Sequence, residues 1–109
     1  MAKTLDELMA IPGVVAAGEF RDDGGLVDYR GKLARNLAEI AAQMCASNNK
    51  LFRQQADQFT KASGMKWAPV LGWAFSGGDY TVAIMGNWGV FIETAKVDFN
   101  KLFRELQRK

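Results

Sequence analysis

From Lys32 to Ser63 the chain contains neither proline nor glycine, and Leu33, Leu37, Ile40, Met44, Leu51 and Gln55 recur at near-helical spacing. The spacing predicts one long helix closed by Gly64. About 30 residues of helix extend roughly 45 Å, longer than a domain of this size needs to cover its own sheet. Such a length points to an element built in part for assembly. A stripe of small side chains, Ala34, Ala38, Ala41, Ala42, Cys45 and Ala46, runs along it and would let a second backbone approach closely. Ser47, Asn48 and Asn49 compete for backbone hydrogen bonds and mark a place where the helix could break.

The segments on either side give the rest of the order. Thr4 and Glu7 have the spacing of a capping box, and Leu5, Leu8 and Met9 make one apolar stripe, so a short first helix runs up to Pro12-Gly13. Gly13 to Arg21 is apolar on both alternating sets, which predicts a central strand covered on both faces. Asp22-Asp23-Gly24-Gly25 is a hairpin turn, and Leu26 to Arg30 returns as an edge strand whose Asp28 and Arg30 discourage stray pairing. Beyond the long helix, Ala68 to Ser76, Tyr80 to Met85 and Trp88 to Thr94 read as a meander turned at Gly77-Gly78 and Gly86-Asn87. Asp98 caps a last helix with Phe99, Leu102, Phe103 and Leu106 on one face and Arg104, Arg108 and Lys109 toward its end.

That order, α-β-β-α-β-β-β-α, is an α+β sandwich in a single domain spanning 1–109, since a chain this short supports one core. Apolar residues make up 49% and charged residues 24%, so the chain has the composition of a folded domain rather than a disordered one. A net charge of +2 with its basic residues scattered leaves no stripe to track phosphates, which argues against nucleic acid as a partner. No apolar run reaches membrane-spanning length, and the acids in "MAKTLDELMA" are unlike a signal peptide, so a cytoplasmic protein is expected. Cys45, the single cysteine, suits a reducing compartment and reads as a small buried apolar group.

Candidate chemistry is sparse. "DDGG" and "SGGD" lack the Gly, Lys and Ser/Thr spacing of a phosphate loop, and Asp22, Asp23 and Asp28 lack calcium-loop spacing. With no histidine and no recognisable acid-base or nucleophile constellation, no catalytic residue, cofactor or metal is assigned, and a hydrolytic or redox enzyme is the reading these residues support least. Phe20, Phe91, Phe99 and Phe103 read as core. Trp67 and Trp73, beside the end of the long helix and on the third strand, read as ligand or partner contacts. With Cys45 they outline a second functional reading, a small-ligand sensor with an aromatic-lined cavity.

Leu5, Leu8, Ile11, Pro12, Gly13, Val14, Asp23 and Gly24, taken with the element order, resemble the roadblock / dynein light chain superfamily. The chain looks most similar to its stand-alone prokaryotic branch. The resemblance implies a profilin-like, five-stranded antiparallel sheet flanked by helices. It also implies a homodimer formed through the long helix and third strand, with one continuous ten-stranded sheet. Expected interface residues are then Ala34, Ala38, Ala41, Ala42 and Cys45 on the helix, with Pro69, Leu71, Trp73 and Phe75 on the strand. About 800 Å² buried on each partner would make such a dimer stable. The implied role is a non-catalytic scaffold or regulator, often of a small Ras-like GTPase. The chain departs from the family in its longer helix and in the aromatic stretch "WAPVLGWAF", and no arginine is assigned as a catalytic finger.

Overall fold

A reciprocal cap starts the first element: the Thr4 hydroxyl accepts the Glu7 N–H at 3.1 Å, and the Glu7 carboxylate accepts the Thr4 N–H at 2.8 Å. These two bonds open α1 (Leu5–Met9) in a computed structural model that describes residues 4–107. Ile11-Pro12-Gly13 then turns the chain into β1 (Val14–Phe20), and a tight turn over Arg21 to Gly25 leads into β2 (Leu26–Gly31). α2 (Arg35–Ser63) follows, then β3 (Trp73–Ser76), β4 (Tyr80–Met85), β5 (Trp88–Glu93), one 3₁₀ turn (Thr94–Lys96) and α3 (Phe99–Gln107). Asp98 caps α3 by accepting the Lys101 N–H on its carboxylate. Arg108 and Lys109 lie outside the described residues.

All neighbouring strands are antiparallel, in the order β2-β1-β5-β4-β3. β1 is therefore an interior strand, while β5, which joins the two hairpins, occupies the centre. β2 and β3 are the edges. Leu5, Leu8, Leu102 and Leu106 from α1 and α3 pack on one face of the sheet against Ala17, Ala83, Val90 and Ile92. On the other face Ala42, Cys45 and Ala46 of α2 pack on Phe20 and Ile84. This three-layer α+β sandwich is the expected fold.

α2 is the single long helix expected, closed by Gly64, and three other expectations are corrected. α2 does not break at Ser47-Asn48-Asn49, because Asn49 spends its side chain elsewhere: its Nδ2 donates to the Gly86 carbonyl at 3.0 Å, and its Oδ1 accepts the Trp73 Nε1–H at 2.7 Å. The third strand starts at Trp73, not Ala68. Pro69 has no N–H for a ladder, and the Trp67 and Ala68 N–H groups turn back to the Thr60 hydroxyl. Phe99 is exposed rather than core, its ring stacked on the half-buried Phe103. Ala38, Ala42, Cys45 and Ala46 of the small-residue stripe face the chain's own sheet rather than a second copy, while Ala34 and Ala41 do not.

Candidate interaction surface

Cross-strand registry sets Phe75, Val82, Phe91 and Ala16 side by side in one row, and Trp73, Ile84, Gly89 and Gly18 in the next. Residues directly opposite one another in a sheet share a face, so both rows lie under the α2 layer. Burial along the first row changes steadily. Ala16 is buried, Phe91 and Val82 are half-buried, and Phe75 at the β3 edge is 65% exposed. α2 therefore roofs the β1 side of this face and leaves the β3 side open.

The helix explains the gradient. Ala38, Ala42, Cys45 and Ala46 lie on its buried face, Ala42 at only 3% exposure. Ala38 and Ala42 are covered within the protomer, which corrects their assignment as interface residues, and Cys45, also buried, shows only an edge to the groove described below. Small side chains do permit close approach, and the backbone approached is the chain's own sheet. The neighbouring face of α2 is apolar and bare: Leu37, Ile40, Met44, Leu51 and Phe59 are each about half exposed, Met44 at 59%. A soluble amphipathic helix normally shows one apolar stripe; this one shows two.

Leu37, Ile40, Ala41 and Met44 from the bare flank, with Trp73, Phe75, Val82 and Phe91 from the sheet, line a groove of about 310 Å³. Asn48 is the polar side chain in this lining. A second hollow of about 310 Å³ lies farther along α2, between Phe52, Phe59, Trp67, Leu71 and Trp73. Its rings contact in pairs, Phe52 with Trp73 at 5.3 Å and Phe59 with Trp67 at 5.1 Å between centroids. Trp73 borders both hollows, Cys45 only the first and Trp67 only the second. The structure does not bring Trp67, Trp73 and Cys45 into one cavity, and the single sensor pocket drawn from them is corrected.

Ala41 is half-buried on the shoulder between the two faces of α2, and Ala34 is its exposed N-cap. Pro69 and Leu71 are exposed, but on the connection before β3 rather than in the strand. Trp73 is half-buried and tied to Asn49, so part of its surface supports the fold. Asn49, which the sequence marks only as a weak helix former, joins the middle of α2 to β3 and to the β4-β5 turn.

Among the described residues no charged side chain lines the groove. Arg30 bridges Asp28 at 2.9 Å and Asp6 at 3.3 Å. The Asp28 carboxyl is held below its ordinary range, first by the Arg30 guanidinium and then by the Tyr29 N–H. Asp23 is lowered chiefly by the Gly25 N–H. Burial pushes the Cys45 thiol up to about 11, away from the thiolate a reactive cysteine needs. Among the described residues no three His, Cys, Asp or Glu side chains gather to hold a metal, and no helix is long and apolar enough to cross a membrane.

The family model described as "Uncharacterized conserved protein (DUF2173)" matches residues 4–108. No curated protein matches the chain. Among solved structures, a roadblock/LC7 domain from Streptomyces avermitilis superposes with a TM-score of 0.80 at 16% identity, over 94% of this chain and 85% of that one. The gliding protein MglB from Thermus thermophilus gives 0.74 at 14% identity, over 95% and 78%. An MglB with a tetrameric arrangement gives 0.74 at 15% identity, over 95% and 77%. At such identities the likeness is one of fold, and the fold is the roadblock fold.

Proposed function

We propose that this chain, which belongs to the family described as "Uncharacterized conserved protein (DUF2173)" and has the roadblock fold, is a non-catalytic homodimeric scaffold or regulator. The half-roofed sheet carries the reading. Phe75, Val82 and Phe91 are open beside a second apolar stripe on α2, and β3 is an edge strand next to them. Contiguous apolar surface of this kind is a recurrent mark of association in soluble proteins. A second copy that set its own α2 over the open half would cover both at once, and antiparallel pairing of the two β3 edges would join the sheets into one of ten strands. The interface would then use Leu37, Ile40, Ala41, Met44, Trp73 and Phe75.

The partner that this dimer serves is, in our reading, a small Ras-like GTPase, the partner class implied by the roadblock resemblance. A gliding protein stands among the structures of like fold, and one such structure is tetrameric, in keeping with a module that works by assembly. The test has two steps. Sedimentation velocity on the purified chain should give the mass of two copies. Immobilised dimer should then retain a small GTPase from lysate in one nucleotide state, GTP-analogue or GDP, and not in the other. Retention of no GTPase in either state, or equal retention by a monomeric Met44→Glu variant, would overturn the assignment.

A further inference from the structure

We propose that Asn48 sits on the two-fold axis of the dimer, bonds to its own copy across that axis, and sets the register of the two α2 helices. This rests on the homodimer reading above and adds what that reading leaves open, the alignment of the helices.

The orientation follows from the sheet. For two β3 edges to pair while both α2 helices stay on one face, the two-fold must stand normal to the sheet. A two-fold along the strands would send the helices to opposite faces. The α2 helices then run antiparallel, and each residue on the bare flank meets one at an equal distance on the other side of the axis.

Spacing locates the axis. The flank reads Leu37, Ile40, Met44, Asn48, Leu51, Gln55 and Phe59, with steps of three, four, four, three, four and four. That eleven-residue repeat lies close to the period of a straight helix, so the flank keeps one direction along its length. Leu37 and Phe59 are equidistant from Asn48, and the pairs Met44 with Leu51 and Ile40 with Gln55 straddle it to within one residue. An axis at Asn48 therefore sets Leu37 against the partner's Phe59 and Met44 against the partner's Leu51. A shift by one helical turn would bring the apolar ends of the stripe past one another.

The side chain supplies a second, independent reason. Asn48 is half-buried on the wall of an apolar groove, where its amide atoms reach solvent and make no side-chain hydrogen bond among the described residues, whereas the amide of neighbouring Asn49 is bonded through both its oxygen and its nitrogen. A carboxamide is self-complementary about a two-fold: each copy donates its N–H to the other's carbonyl oxygen. Off the axis the same amide would be desolvated against leucine or methionine with nothing to bond, a cost that selects one register against its neighbours.

Facing helices about 8–10 Å apart bring opposed Cα atoms to about 3.5–5.5 Å, a range that overlaps disulfide reach. In full-length chain carrying Cys45→Ala, mild oxidation should link most Asn48→Cys chains to themselves. Leu37→Cys and Phe59→Cys should link only when mixed, and neither alone. Should Cys45→Ala fail to fold, the same variants are read with Cys45 retained and the wild-type chain as blank. A sedimenting dimer in which Asn48→Cys stays unlinked, or Leu37→Cys links to itself, overturns the register while the homodimer stands. A monomer at every concentration overturns both. In the Leu37→Cys with Phe59→Cys mixture, adding Asn48→Leu should cut the linked fraction severalfold while the mass remains dimeric; an undiminished yield would show that Asn48 does not set the register.

Discussion

Ala42 and Met44 are two residues apart on α2, yet they should fail in different ways when altered. Ala42 is closed in beneath its own helix against Phe20 and Ile84, so Ala42→Leu forces three further carbons into filled space. Overpacking of this kind costs about 1–3 kcal/mol. In a domain of this length that lowers the melting temperature by about 5–15 °C. Met44 is 59% exposed, and Met→Glu hardly changes helix propensity, so the Met44→Glu protomer should fold as before. Its cost falls on association. Burying the rest of the methionine is worth about 1–1.5 kcal/mol, felt twice across a two-fold, so about 2–3 kcal/mol is lost before any desolvation of the two carboxylates. A loss of about 3 kcal/mol weakens the dimer at least about 100-fold. Sedimentation velocity over a dilution series and thermal melts at one fixed concentration separate the two effects. If Met44→Glu kept the dimer intact, or Ala42→Leu split it without lowering the melt, the assignment of the two faces of α2 would be reversed.

Asn49→Leu removes the acceptor of the Trp73 indole N–H and the donor to the Gly86 carbonyl; an expected loss of about 1–3 kcal/mol should appear in urea unfolding, with altered tryptophan fluorescence. Gly31 has φ +105°, and a Cβ there would collide with the Val15 carbonyl oxygen, so Gly31→Ala should cost more than about 1 kcal/mol. Gly78→Ala, with open space around it, should be neutral by the same measurement. Because burial raises the Cys45 pKa above its ordinary value, the folded chain holds the proton more tightly than the unfolded one. Stability is then full below about pH 9 and falls as the pH rises toward 11, and Cys45→Ala should flatten that slope in chemical denaturation.

What the amino-acid order made legible is what is decided locally. The Thr4/Glu7 cap, the Pro12-Gly13 corner, the Asp23-Gly24 turn and the Leu102/Leu106 face of α3 each depend on residues a few positions apart, and each stands where it was expected. The small-residue stripe of α2 is legible, but it records only that something comes close, and Ala38, Ala42, Cys45 and Ala46 meet the chain's own sheet. Whether that is the chain's own sheet or another helix depends on which strands lie beneath, and the β5-centred order is fixed by pairings over long separations. The same holds for Asn49: its sequence neighbours mark a weak helix, and only the fold brings Gly86 and Trp73 within reach of its amide. Ala68 to Gly72 reads like a strand because it is apolar, yet Pro69 cannot complete a ladder and the Thr60 hydroxyl takes the Trp67 and Ala68 N–H groups. Leu37, Ile40 and Met44 are legible as one side of a helix, and their periodicity is as compatible with a buried side as with a bare one. Their exposure follows from the alanines beside them. Once the small residues take α2 down onto the sheet over β1, the large ones are turned toward β3, where no element among the described residues covers them.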